Sequence, residues 1–180
     1  MKKMEGRAAI LVDGSNAYAT AKQLGFDVDY KRLRDFIDAE VEVHRALYFT
    51  ALPEDSTIIT PIRPLVDYLA YNGWTIIQKP TKTYTAEDGT VKTKGNMDME
   101  IAIEALKIAQ RVTDIYIMSG DGDFKALVVA LQDVGVRVTV ISSIKTRPSM
   151  CADILRRQAD DFIELADMMS SLRRESRRVV

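Results

Sequence analysis

The chain has 180 residues, 47% apolar and 28% charged, with 25 Lys and Arg set against 26 Asp and Glu for a formal net charge of −1. That length fills one well-packed core, and the composition excludes a disordered or fibrous chain. No apolar run approaches the roughly 20 residues that cross a bilayer, and near-neutrality supplies no global attraction for a polyanion, so any nucleic-acid contact must come from local patches or a bound cation.

Met1-Lys2-Lys3 and the short apolar stretch after it lack the long apolar region and cleavage site of a signal peptide. The lone Cys151 has no internal disulfide partner. Both features predict a reducing, cytoplasmic location.

Ala8 to Val12 is a continuous apolar run that stops at Asp13-Gly14, the pattern of a central strand buried on both faces. Asp29 reads as the N-cap of a helix from Tyr30 to about Ala39, with Leu33, Phe36 and Ile37 on its packed face. A second strand follows over Val43 to Leu52. Pro61 and Pro64 suit only a first helical turn, so the next helix begins near Thr60 and ends by Gly73. Trp74 to Ile77 is a third strand.

From Lys79 to Gly95 the chain turns polar. Asp88-Gly89 marks a turn between two Thr-rich arms, Thr81 to Thr85 and Thr90 to Thr93, which predicts a hairpin at the edge of the sheet. A helix over Met97 to Ala109 places Ile101, Ala102, Ala105, Leu106 and Ala109 on its packed face and Glu100, Glu104 and Lys107 on its wet one. Ile115 to Met118 is a fourth strand, Phe124 to Gln132 a helix closed by Gly135, and Val136 to Ile141 a fifth strand. Beyond Pro148 come a helix, the short stretch Phe162-Ile163, and a helical tail whose Arg173, Arg174, Arg177 and Arg178 suit a helix end.

Strands alternating with helices predict an α/β fold with a mostly parallel sheet and right-handed crossovers. With strand order 3-2-1-4-5, strands one and four straddle the point where the order reverses, and ligands bind outside the carboxyl ends there. Asp13 ends strand one, and Asp121 and Asp123 end strand four. Asp98 reaches the same edge because its helix runs antiparallel to the strands and begins there. Any one of these positions reads most simply as a cap or a turn; their joint placement favours a shared site.

Four clustered carboxylates raise one another's pKa unless a cation joins them. Mg²⁺ or Mn²⁺ suits such oxygens, whereas zinc prefers His and Cys, of which the chain has only His44 and Cys151. Asn16 brings an amide that can orient Asp13 or a water. Other chemistries lack support. Ser15, Ser119 and Cys151 have no evident base, no P-loop is present, and a haloacid-dehalogenase phosphotransferase would need Asp where Ser15 stands.

Ile10-Leu11-Val12-Asp13-Gly14-Ser15-Asn16, Lys94-Gly95-Asn96-Met97-Asp98 and Ser119-Gly120-Asp121-Gly122-Asp123-Phe124, with Leu131 and Gly135 downstream, resemble the NYN domain. They are most similar to its LabA-like branch within the PIN-like nuclease superfamily, over about Arg7 to Ala166. The resemblance implies a PIN-like (Rossmann-like) three-layer α/β/α sandwich with a five- or six-stranded sheet. It also implies a Mg²⁺- or Mn²⁺-dependent ribonuclease acting on single-stranded RNA. Asp13, Asp98, Asp121 and Asp123 match its acidic, metal-holding positions and Asn16 its amide, these five being the catalytic set; Asp13 and Asp121 are the foremost direct ligands. Lys79, Lys82, Lys92 and Lys94 would guide the RNA backbone, with Tyr84 as a stacking surface and Ser119 a further substrate contact. Residues 1–166 would form the nuclease domain and 167–180 a basic helical tail. The alternative is a non-catalytic regulator that binds RNA or protein through the same fold. A homodimer is compatible with either, since one cleft holds little of a long strand.

Overall fold

Residues 5–52, 60–85 and 91–174 are described by the structure, a computed structural model of the chain. The first strand, β1 (Arg7–Asp13), leads into α1 (Gly14–Leu24) and α2 (Tyr30–Glu40). Then come β2 (Glu42–Leu52), α3 (Arg63–Tyr71) and β3 (Thr75–Pro80). A two-stranded antiparallel hairpin, β4 (Lys82–Thr85) with β5 (Val91–Lys94), stands apart from the main sheet. The second half runs α4 (Asp98–Ala109), β6 (Asp114–Met118), α5 (Lys125–Asp133), β7 (Arg137–Ser142), α6 (Asp153–Gln158), β8 (Asp161–Glu164) and α7 (Met169–Leu172).

The main sheet has six parallel strands in the order β3-β2-β1-β6-β7-β8, so β1 and β6 flank the reversal and β8 adds the sixth strand. The expected mostly parallel sheet and its strand order are thus present. β1 shows why it is central: Ala8, Ile10 and Val12 point into one core layer, Ala9 and Leu11 into the other, and all five are fully buried. The first layer packs Ala17, Leu33, Leu69 and Leu172 from α1, α2, α3 and α7. The second packs Ile101, Leu127 and Leu155 from α4, α5 and α6. Within the first, Tyr30 meets Tyr48 and Trp74 edge-on, with ring centroids 5.2 and 6.0 Å apart. Among the described residues no helix is long and apolar enough to cross a membrane.

Three elements differ from the sequence expectation. α1 does not announce itself because it buries Gly14, Ala17, Thr20 and Ala21, a stripe of small residues with little hydrophobic contrast. Its ends are well marked all the same: Asp13 caps it by accepting from the Asn16 N–H, and Gly25 closes it in the left-handed region at φ 73°. On α4 the buried stripe is Ile101, Ala105 and Ala109, and Leu106 lies 46% exposed on the opposite side; Phe36 on α2 is likewise exposed. The tail is helical for only one turn. Leu165, Met168 and Leu172 fold into the first core layer, and Arg173 then pairs antiparallel with Val28. Arg177 and Arg178 lie outside the described residues.

Candidate metal centre

At the carboxyl edge of the sheet, β1 and β6 end side by side. Asp13 follows Val12, which pairs with Met118, and Ser119 follows Met118. The two ends are tied directly: Ser119 Oγ donates to Asp13 Oδ2 at 3.1 Å. The other oxygen, Oδ1, accepts from Ser15 Oγ at 2.9 Å and from the Asn16 N–H at 3.2 Å. Asp13 is 6% exposed and most of its acceptor capacity is engaged.

Gly14 allows this arrangement. A Cβ there would sit 2.7 Å from the Phe49 carbonyl oxygen and 2.8 Å from the Tyr48 hydroxyl, so only glycine lets α1 start against β2. Burial pushes the Tyr48 phenol up to about 12, with the Asp13 charge acting in the same direction. It stays neutral as a packing wall under Asp13.

Asp121 opens a short 3-10 turn. Its Oδ1 accepts from the Asp123 N–H at 3.0 Å, which folds Asp123 back toward it. Opposite, Asn96 precedes α4 and clasps Asp98 twice. Asn96 Oδ1 accepts from the Asp98 N–H at 2.7 Å, and its Nδ2 donates to Asp98 Oδ2 at 2.5 Å. One carboxylate oxygen from each of Asp98, Asp121 and Asp123 then lies within 4.8 Å of the others. Asp13 and Asp121 line the floor of a cleft of about 320 Å³, with Asn96 and Asp98 on its wall. Burial holds the Asp98 carboxyl above its ordinary range; the Asn96 amide opposes this, and the charges of Asp121, Asp13 and Asp123 add to it.

The donor set fits a hard divalent cation. It consists of carboxylate oxygens with no thiolate or imidazole among them, and among the described residues no lysine or arginine is ion-paired with any of the four aspartates. Asp98 and Asp123, which the sequence gave less weight than Asp13, join Asp121 in the tightest group, and Asp13 sits beside it, held by hydrogen bonds.

Other expected site residues fall differently. Asn16 does not orient Asp13 with its amide: its Oδ1 accepts from the Gly120 N–H at 3.0 Å, and its backbone N–H is what reaches Asp13. Ser119 is corrected from substrate contact to internal tie. It is 1% exposed, and besides donating to Asp13 its hydroxyl accepts from the Asp121 N–H at 3.3 Å. Lys79 is corrected too: its ammonium lies 2.8 Å from Glu100 of α4, a bond that pulls the Glu100 carboxyl below its ordinary range. Lys82 and Lys94 face each other across the hairpin and Lys92 pairs with Tyr84 in register, while their side-chain placement lies outside the described part of the structure. Sequence reasoning passed over Ser15 and Asn96. An Asn two residues before an Asp at a helix start is the signal that would have found the second.

The NYN domain family model matches residues 7–167. This chain belongs to the NYN domain family. NYN domains are a PIN-like nuclease family, and the sheet order and layers here are those of a PIN-like α/β/α sandwich. The chain is LabA-like: it is 28% identical over 177 residues to the low amplitude and bright protein LabA of Synechococcus elongatus, an alignment spanning 95% of this chain and 90% of that one. A Vibrio parahaemolyticus protein of unknown function has a crystal structure similar to this NYN domain. The TM-score is 0.72, the identity 26%, and the match covers 92% of this chain and 96% of that one.

Proposed function

We propose that this NYN domain is a Mg²⁺- or Mn²⁺-dependent ribonuclease that hydrolyses phosphodiester bonds of single-stranded RNA. The observation that carries the reading is the convergence of Asp98, Asp121 and Asp123 in one cleft, with Asp98 raised by burial and its acidic neighbours. Family membership supports nucleic acid as the substrate class.

Asp98, Asp121 and Asp123 would hold the cation. When bound, it supplies a water of lowered pKa and offsets charge on the phosphate. The chain's own groups set the geometry. Asn96 fixes the Asp98 carboxylate, the Asp123 N–H fixes that of Asp121, and Asn16 with Ser119 locks the backbone at Gly120 and Asp121. Asp13 closes the cleft floor, its charge adding to the field that attracts the cation and repels a misplaced phosphate.

The test is a substrate panel of RNA, DNA and nucleotide phosphates with Mn²⁺, run on the parent and on Asp98→Asn, Asp121→Asn and Asp123→Asn. RNA cleavage is expected for the parent and a loss of about 100-fold or more in each variant of unchanged circular dichroism. Equal cleavage by parent and folded variants would overturn the mechanism. Absence of Mn²⁺ binding in calorimetry would favour a non-catalytic regulator.

A further inference from the structure

Helix α4 carries a second apolar stripe. Met99, Ile103 and Leu106, spaced i, i+4 and i+7, lie opposite the buried Ile101, Ala105 and Ala109 and are 68%, 46% and 46% exposed. A helix with one face in the core normally turns polar residues outward, so three large apolar side chains in a row on the outer face mark a contact surface. Charge is ordered along one flank of that stripe. Glu100 and Glu104 occupy the half of the helix nearer the cleft, and Lys107 and Arg111 the far end and just beyond. A groove of about 440 Å³ follows this flank, with Arg45, Glu104, Lys107 and Arg111 among its walls.

We propose that the chain forms a two-fold dimer in which α4 packs antiparallel on α4 of a second copy, centred on Ile103. About that point Ile103 meets itself and Met99 meets Leu106 of the second copy. In an isologous contact each flank faces its own copy reversed end for end. Glu100 and Glu104 therefore oppose Lys107 and Arg111 of the second copy, whereas a parallel pairing would set like charges together. This self-complementarity selects a second copy as the occupant. Lys107 already pairs with Glu104 of its own chain at 2.8 Å and remains 65% exposed, so the contact extends an existing pair into a network.

The arrangement also bears on the cleft. α4 is about 18 Å long, and reversal about its middle brings the basic end of the second copy's helix level with Gly95 and Asn96 at the cleft rim. Lys107 and Arg111 of the second copy would there supply the phosphate-directed charge that the four aspartates lack. This last point rests on the ribonuclease reading; the dimer does not.

Sedimentation velocity on the full chain, without metal or RNA and at up to about 100 µM, tests the dimer. The parent should sediment as a dimer and Ile103→Glu as a monomer with unchanged circular dichroism. Ile103→Cys, on the axis, should crosslink to a covalent dimer on mild oxidation, and Tyr71→Cys, at a 91% exposed site on α3, should not. Lys107→Glu should weaken the dimer about tenfold at low salt. A monomeric parent, a dimeric Ile103→Glu, or equal crosslinking of the two cysteine variants would overturn the proposal. Since none of these readouts involves cleavage, an inactive dimer would reject the ribonuclease reading and leave the interface standing.

Discussion

Ser119 Oγ donates to Asp13 Oδ2 at 3.1 Å across 106 residues of sequence, joining the ends of the two strands that flank the reversal of the sheet. The same hydroxyl accepts from the Asp121 N–H. One buried side chain thus sets the spacing between the floor of the cleft and its acidic group. Ser119→Ala leaves an Asp13 oxygen and an amide N–H without that partner, and should cost about 1–3 kcal/mol in urea denaturation. Cleavage should fall through kcat rather than KM, because the acidic group is displaced while the surface that meets RNA is untouched.

Asp98 links protonation to both folding and cation binding. Its folded pKa is raised, by burial first and by Asp121, Asp13 and Asp123, against the opposing Asn96 bond. A raised carboxyl contributes stability that is fully present below its unfolded value and is lost as pH rises through the folded value. Cation binding has the opposite sense, since it requires the ionised form. Mn²⁺ should therefore raise the melting temperature at neutral pH, and the rise should shrink as pH falls toward the ordinary carboxylate value of about 4. Asp98→Asn should be at least as stable as the parent without metal and should lose the Mn²⁺-induced rise. Scanning fluorimetry across pH with and without Mn²⁺ reads both effects; a rise that persists in Asp98→Asn would remove Asp98 from the cation site.

What could be read from the sequence followed hydrophobic contrast. β1 is a continuous apolar run because both its faces are covered, and with the alternation of elements it placed the sheet and the edge where the aspartates meet. α1 was illegible because its buried stripe is Gly, Ala and Thr. Leu106 was misplaced because apolar character alone does not tell a core face from a contact face. The four acidic positions were legible from strand ends and a helix start, but their ranking was not. That ranking depends on which carboxylates are already engaged, and the hydrogen bonds holding Asp13 come from Ser15, Asn16 and Ser119, two adjacent in sequence and one far away.

Lys79 gives a contrasting test, because its charge is matched within the fold by Glu100. Both side chains are a third exposed, and such pairs contribute about 0–1 kcal/mol. Lys79→Met should leave stability within that range and RNA affinity within about twofold of the parent in a filter-binding titration. A tenfold loss of affinity would return Lys79 to the RNA path and would mean that the Glu100 bond opens when RNA binds.

Gly120 and Gly122 flank Asp121, and the two should respond very differently to a single added carbon. A Cβ at Gly120 would lie 1.8 Å from the Met150 carbonyl oxygen and 2.7 Å from Ser142 Oγ, so backbone must move. That backbone is pinned on both sides, by the Gly120 N–H to Asn16 and by the Ala152 N–H to the Gly120 carbonyl at 2.9 Å. At Gly122 the nearest atoms are side-chain carbons of Ala152 and Ile154 at 3.2 Å, which yield by a few tenths of an ångström. Gly120→Ala should cost about 3 kcal/mol and Gly122→Ala under about 1 kcal/mol in denaturant titration. Because Asp121 follows Gly120 directly, Gly120→Ala should also abolish the Mn²⁺-induced rise in melting temperature, which Gly122→Ala should retain. If the two variants proved equally stable, the close approach of the 119–121 turn to Met150 would be wrong, and with it the placement of Asp121 in the cleft.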